Sequence, residues 1–199
     1  MKAKLAICAS GDGTNFEAIV QSARAGELQA EIVGLIVNRA AAGAVARATR
    51  LGVPVRVLSS KEFASRQAWD EAMVSQLKSW GADWIALAGY LALIGPQVLA
   101  VYPKRIVNTH PALLPKYGGE GMYGLKVHEA VIAAGEKVTG VTVHLIDEVY
   151  DRGLILKQAE MLIKPEDTAA TLSERLKALE NQIYPKILND LLTGRLATG

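Results

Sequence analysis

The stretch AKLAICASGDGTNFEAIVQSAR, residues 3–24, decides the fold because it joins a short apolar run to a glycine-rich turn and an amphipathic segment. Residues 3–9 are mostly apolar, as expected for a buried strand. After the SGDGTN turn, apolar residues recur at Phe16, Ile19 and Val20, which is helical spacing. The stretch therefore predicts a β-strand, a tight turn and an α-helix.

The alternation of strand and helix continues to about residue 110. Further strands are predicted at residues 31–37, 53–58, 83–90 and 105–110. The longest helix between them is predicted over residues 61–80, with Ser59 or Ser60 as its N-cap. Strands that alternate with helices in this way are typical of a parallel, doubly wound sheet.

The remaining sequence changes its pattern. Apolar runs at 138–146 and 154–163 flank the turn DEVYDRG, as in a β-hairpin. A last helix is predicted from about Thr168 to Leu192, with a kink or break at Pro185. We expect an α/β fold in a single domain over residues 1–199. Its Rossmann-like open twisted sheet is mostly parallel, with a C-terminal antiparallel hairpin and helices on both faces.

Composition excludes several classes of protein. The formal net charge is only +2 and no run of Lys and Arg occurs, which argues against a nucleic-acid partner. One cysteine, Cys8, rules out an internal disulfide framework and a multi-cysteine metal site. No apolar stretch has the length of a membrane span or the pattern of a signal peptide, so we expect a cytoplasmic protein with no membrane partner.

The SGDGTN turn is a candidate phosphate site. Gly11 and Gly13 allow a tight turn and close approach of a ligand, and Thr14 and Asn15 lie where free N–H groups of a helix favour an anion. A dinucleotide site would require a third glycine where Phe16 stands, and an acidic residue after the second strand. The turn therefore predicts binding of a single phosphate; the alternative is an ordinary capped turn.

The segment NTHPALLPKY, residues 108–117, is a candidate catalytic site. Asn108 and His110 are two positions apart in a strand and share a face at its end. An amide N–H can stabilise an oxyanion while an imidazole moves a proton, although a lone histidine is more often structural. A carboxylate to orient the ring is expected from DEVYD, residues 147–151, with Asp151 favoured.

Other polar residues fit structural roles equally well. We interpret His128 as a surface or supporting residue, His144 as structural, and Glu180 as a solvated charge. The segment LAGYLALIGP, residues 87–96, fits either core packing or an apolar wall for an aromatic ligand. No HxH or HExxH spacing occurs, so no metal is expected.

The segments SGDGTN, LAGYL, NTHPALLPKY, TVH and YDRG together resemble the phosphoribosylglycinamide formyltransferase family, over residues 3 to about 195. Ala112 replaces the usual serine, and Ala92 stands where many relatives carry arginine. The resemblance implies transfer of a formyl group from 10-formyltetrahydrofolate to the amine of glycinamide ribonucleotide, without a metal. Its partners would be small molecules, and either a monomer or a homodimer is compatible with it.

The resemblance also implies roles for individual residues. The catalytic residues would be Asn108, His110 and Asp151. The substrate-binding residues would be Gly13, Thr14, Asn15, Phe16, Glu17 and Glu180. The folate-binding residues would be Arg66, Leu91, Ala92, Leu93, Ile94, Asn108 and Asp147. Residues 1–105 would then form a phosphate-binding half, and residues 106–199 a catalytic and folate-binding half.

Three other functions are compatible with parts of the pattern. The same trio acting on water would make a folate deformylase, in which the phosphate turn would have no purpose. An oxidoreductase would bind a dinucleotide, which Phe16 and Asn38 argue against. A phosphosugar-binding module without activity would not depend on His110.

Overall fold

A seven-stranded sheet runs through the centre of the protein, whose computed structural model describes residues 2–197. The strands are β1 (Ala3–Ala9), β2 (Ala30–Val37), β3 (Val55–Val57), β4 (Trp84–Leu87), β5 (Ile106–His110), β6 (Val138–Leu145) and β7 (Ile155–Leu162). Their order is β3-β2-β1-β4-β5-β6-β7. The first five are parallel, whereas β6 and β7 are antiparallel to their neighbours.

Helices connect the parallel strands and cover both faces of the sheet. They are α1 (Thr14–Arg24), α2 (Gly43–Arg50), α3 (Arg66–Ser79), α4 (Pro96–Val101), α5 (Leu125–Ala133) and α6 (Ala169–Leu192). The predicted α/β fold, mostly parallel with a C-terminal antiparallel hairpin, is confirmed. None of the helices within residues 2–197 is long and apolar enough to cross a membrane.

The two faces of the sheet carry separate cores because alternate residues of a strand point to opposite sides. In β1, Leu5 and Ile7 pack in a core with residues of α1, α2 and α6. Ala6 and Cys8 pack on the other face with residues of α3 and α4. Side chains from both halves of the chain share the first core, which extends from Leu5 to Leu191.

The long helix α6 fixes the C-terminal part of the chain over the sheet. Tyr184 is fully buried, and its hydroxyl lies 3.0 Å from the carbonyl of Val107 and 3.2 Å from that of Leu87. A kink or break was predicted at Pro185; the helix continues through it to Leu192, so there is no break, and the kink stays a prediction. Burial of its apolar face stabilises the helix beyond the one hydrogen bond that a proline removes.

The predicted start of α3 is wrong by about one turn. A 3-10 helix occupies Ser60–Glu62, Phe63 is extended, and α3 begins only at Arg66. Its N-cap is Ser65, whose Oγ accepts a hydrogen bond of 3.1 Å from the N–H of Ala68. Several serines precede the apolar pattern, and composition alone does not say which of them is the N-cap of α3.

We therefore expect Ser65→Ala to lower the free energy of unfolding by about 0.5–2 kcal/mol, because it removes the acceptor for a helix N–H. Ser60→Ala is the matched control, since Ser60 lies in the 3-10 helix and its removal uncaps nothing in α3. Urea unfolding monitored by circular dichroism gives both values. Equal losses in the two variants would contradict the assignment of the cap.

Candidate active site

A cavity of about 870 Å³ lies at the carboxyl ends of β1, β4 and β5. Its walls come from the turn after β1 (11–15), the end of β4 (88–91), the end of β5 (108–111) and the loop 119–125. Asp151 and residues of α6 complete it. Open α/β sheets bind their ligands at this edge, because loops and helix N-termini converge there.

His110 lies between a carbonyl group and a carboxylate, one beside each ring nitrogen. It is only 4% exposed, and its Nε2 lies 2.7 Å from the carbonyl oxygen of Tyr117. Because a carbonyl can only accept, Nε2 carries the proton and Nδ1 is the basic nitrogen of the neutral ring. That Nδ1 lies 3.5 Å from Oδ2 of Asp151. A proton taken up by His110 therefore stays next to a carboxylate.

Asp151 is the carboxylate of the 147–151 turn that lies beside His110. Its φ of 56° is left-handed, and its Oδ2 accepts a hydrogen bond of 2.9 Å from the N–H of Gly119. Burial raises the pKa of Asp151, but His144, His110 and the Gly119 N–H lower it by more, so the carboxyl remains ionised.

Burial and Asp151 act on His110 in opposite directions. Burial lowers the pKa of His110, while the charge of Asp151 and the Tyr117 carbonyl raise it, and burial is the stronger effect. The resting ring is therefore neutral near pH 7. The expected influence of the carboxylate is present, but it offsets burial only in part.

His144 orients Asn108. It is fully buried, and its Nδ1 donates to the carbonyl of Leu145 over 2.9 Å. Its Nε2 lies 3.2 Å from Nδ2 of Asn108 and 3.6 Å from Oδ1 of Asp151. His144 thus connects Asn108, which lines the cavity, with the carboxylate beside His110.

The glycine-rich turn has the geometry of an anion site at the start of α1. Gly13 has a φ of 80°, and a Cβ there would lie 2.6 Å from Cα of Ala44. Across the turn, Nζ of Lys177 lies 3.0 Å from Oδ2 of Asp12. Lys177 was missed by the sequence analysis, although its position one helical turn before Glu180 could have indicated it.

Glu180 is buried, so its interpretation as a solvated charge is wrong. The hydroxyl of Thr109 donates to Oε1 over 3.0 Å, and Nδ2 of Asn15 lies 3.4 Å from Oε2. Burial raises the pKa of Glu180 to about 7, against the lowering effect of these two donors. The packing of α6 against α1 buries this carboxyl, and that contact is remote in sequence.

His128 is also buried, so its interpretation as a surface residue is wrong, whereas the alternative of a supporting residue stays a prediction. It is 3% exposed, lines the cavity, and its Nδ1 is enclosed without a hydrogen-bond partner. Its place in α5 one turn before the buried Val131 is the signal that could have found it.

Several residues assigned by resemblance do not line the cavity, and their roles stay predictions. These residues are Phe16, Glu17, Arg66, Ala92, Leu93, Ile94 and Asp147. Phe16 and Ile94 are buried in the two cores, and Glu17 forms ion pairs with Arg47 and Arg50. The structure therefore brings together the catalytic trio, residues 13–15, Glu180 and Leu91.

Hydrogen bonds within the protein account for the positions of the remaining residues. Arg66 donates to Asp70 and to the carbonyl of Leu93, beside the cavity and not in its wall. Oδ1 of Asp147 accepts from the N–H of Val149 over 2.8 Å.

Among the described residues, no three His, Cys, Asp or Glu side chains come together in a group suited to a metal ion.

Comparison with known proteins identifies the family. The profile of the formyl transferase family matches residues 3–188. The chain belongs to the formyl transferase family. It is similar to the chloroplastic phosphoribosylglycinamide formyltransferase of Arabidopsis thaliana, with 37% identity over 97% of this chain and 66% of that protein. The trifunctional purine biosynthetic protein adenosine-3 of Gallus gallus is 35% identical over the whole chain, which spans 19% of that protein.

Solved structures agree with this over nearly the whole fold. The phosphoribosylglycinamide formyltransferase of Bacillus halodurans has a TM-score of 0.90 and 42% identity, covering 96% of each chain. Glycinamide ribonucleotide transformylase 1 of Symbiobacterium toebii has a TM-score of 0.93 and 34% identity, covering 98% of this chain and 90% of that one. The chain thus spans about two thirds or less of the curated relatives, but nearly all of these structures.

For His110 we expect a pKa below its ordinary value of about 6.5, and a further decrease in Asp151→Asn, which removes the charge that raises it. The acid limb of activity should then move to lower pH. Glu148→Gln, in the same turn, is the control for loss of a negative charge. NMR titration of the imidazole measures the pKa, and a rise in Asp151→Asn would refute the coupling.

For Glu180 the raised pKa predicts a pH-dependent stability. The folded state binds the proton more tightly than the unfolded state, so stability falls as pH rises from about 4.5 to 7. Glu180→Gln removes this loss. The free energy of unfolding of the variant relative to wild type should therefore be about 3 kcal/mol higher at pH 8 than at pH 4. Denaturant unfolding at both pH values measures the gain. The exposed Glu174→Gln of the same helix should show none.

Proposed function

We propose that this protein transfers the formyl group of 10-formyltetrahydrofolate to the amine of N1-(5-phosphoribosyl)glycinamide, a step of purine (IMP) biosynthesis. The observation that carries the proposal is the composition of one cavity. A glycine-rich turn and Lys177 lie at one end, and the pair His110 and Asp151 lies beside Asn108 at the other. The names of the family's members support the same reaction.

The phosphate of the amine substrate would bind at the N-terminus of α1. Gly13 and Asn15 would present backbone N–H groups there, while the N–H of Thr14 donates to Oδ1 of Asp12 over 3.1 Å. Lys177, which pairs with Oδ2 of Asp12, would supply a positive charge. Glu180 would accept hydrogen bonds from the ribose hydroxyls, because both of its oxygens face polar partners inside the cavity wall. The half 1–105 would thus hold the phosphate, and α6 from the half 106–199 would reach over it.

The folate would occupy the apolar end of the cavity. Leu91, Tyr123, Leu125 and Tyr150 line it and are between 39% and 51% exposed, which is unusual for large apolar side chains. A flat pterin ring would cover them. Residues 92–94, Arg66 and Asp147 would then support this wall from behind or contact the rest of the folate.

The reaction would proceed by attack of the amine nitrogen on the formyl carbon. The new N–C bond forms as the carbonyl electrons move to oxygen, and Asn108 donates an amide N–H to that oxyanion. His110 takes the amine proton on Nδ1, and Asp151 stabilises the resulting imidazolium. The oxyanion electrons then re-form the carbonyl as the bond from carbon to N10 breaks, and the His110 imidazolium gives its proton to N10, so tetrahydrofolate leaves and the ring returns to its neutral form.

A spectrophotometric assay with 10-formyl folate, run with and without the amine substrate, tests the proposal. We expect turnover only with the amine, and a decrease in kcat of about 10²–10⁴ in His110→Ala, which loses the proton acceptor. Asn108→Ala should lose about 10²–10³. Equal turnover without the amine would instead indicate a deformylase, and full activity of His110→Ala would exclude the mechanism.

A further inference from the structure

His128 has a buried ring nitrogen without a hydrogen-bond partner, and the mechanism above gives this residue no role. Its ring is 3% exposed and its Nδ1 is enclosed without a partner. A buried polar atom without a hydrogen bond destabilises a protein. An apolar side chain would fit such a place better if packing were the only requirement. The residue nevertheless lines the cavity of the proposed active site.

The ring is a neutral imidazole with a definite tautomer. Burial lowers the pKa of His128, and the neighbouring charge of His110 lowers it further. An enclosed N–H without an acceptor is rarer in proteins than an enclosed lone pair. Nδ1 is therefore unprotonated, and Nε2 carries the hydrogen. His128 lines the cavity, and of its two ring nitrogens only Nδ1 is fully enclosed without a partner. Nε2 is therefore the nitrogen that can face the cavity.

The position of α5 indicates which substrate this N–H would meet. The helix packs against α6, and Val131 shares a core with Leu172 and Leu176. Helix α6 carries Lys177 and Glu180, which form the phosphoribosyl side of the cavity. His128 and His110 line the same cavity. It is thus placed between the ribose side and the reacting end.

We propose that Nε2 of His128 donates a hydrogen bond to the glycinamide part of the amine substrate and so helps to hold its amine near His110. This inference rests on the proposed function, because it assumes that the phosphoribosyl side of the cavity holds that substrate. It makes His128 a substrate-binding residue, in addition to the trio and Glu180. The enclosure of Nδ1 without a donor keeps the hydrogen of the neutral ring on Nε2, which preorganises that nitrogen as a donor.

Three variants of His128 test the contact. His128→Phe removes both nitrogens, and the KM for the amine substrate should rise about three- to tenfold, the value of one neutral hydrogen bond. The KM for 10-formyl folate should not change. His128→Gln places an amide N–H near the position of Nε2 and should restore part of the affinity, whereas His128→Asn, whose amide lies near Nδ1, should not.

A control separates this role from packing. Thr139 is also buried with an unpartnered hydroxyl, but it lies in β6 and does not line the cavity. Thr139→Val should keep or raise the melting temperature and leave both KM values within about twofold of wild type. His128→Phe should also keep or raise the melting temperature while it loses affinity. A loss of stability in His128→Phe that Gln does not relieve would assign a structural role and overturn the proposal.

Calorimetric binding of the amine substrate distinguishes failure of this inference from failure of the proposed function. Wild type that binds the substrate and transfers the formyl group, with unchanged binding in all three variants, would refute the His128 contact alone. A wild type that binds but does not transfer would refute the proposed reaction, while weaker binding by His128→Phe would still support the contact. If His128→Phe raised only the KM for 10-formyl folate, that result would also refute the His128 contact.

Discussion

The half-buried carboxylate of Asp151 is the constraint on which the rest of the site depends. A carboxylate removed from water requires several polar partners, and those of Asp151 come from three segments: β5, β6 and the loop before α5. The turn that carries it can fold this closely only because Gly153 lacks a side chain: a Cβ there would lie 1.8 Å from the carbonyl oxygen of Leu145. A Cβ at Gly118 would likewise lie 3.1 Å from the Cβ of Asp151.

The loop before α5 consequently contacts both His110 and Asp151, the pair proposed to be catalytic. The Tyr117 carbonyl fixes the proton of His110 on Nε2, and two residues later the N–H of Gly119 binds Asp151. Tyr117 has a φ of 57°, in the left-handed region that non-glycine residues seldom adopt. Such a conformation persists where surrounding contacts determine it. The tautomer of the histidine is therefore a property of this loop and its contacts with the β6–β7 turn.

Sequence reasoning reached those parts of the structure that depend on local pattern. The order of strands and helices follows from periodicity, and the shared position of Asn108 and His110 follows from the two-residue repeat of a strand. Helical spacing could have indicated His128 and Lys177, but the partners of Glu180, His128 and Lys177 do not follow from local pattern, because they are set by packing of α5 and α6 against distant segments. The prediction of the start of α3 was wrong for a different reason, since several serines were equivalent candidates for its N-cap.

The opposing effects on His110 suit the proposed reaction, in which it would act first as a base and then as an acid. Burial keeps the resting ring neutral, so Nδ1 can accept the proton of an attacking amine. Once that proton has been transferred, the charge of Asp151, 3.5 Å away, stabilises the imidazolium next to the developing oxyanion. A more exposed histidine would be protonated more often at rest, and a histidine without the carboxylate would hold the proton too weakly. The same enclosure that lowers its pKa thus also strengthens the attraction that offsets it.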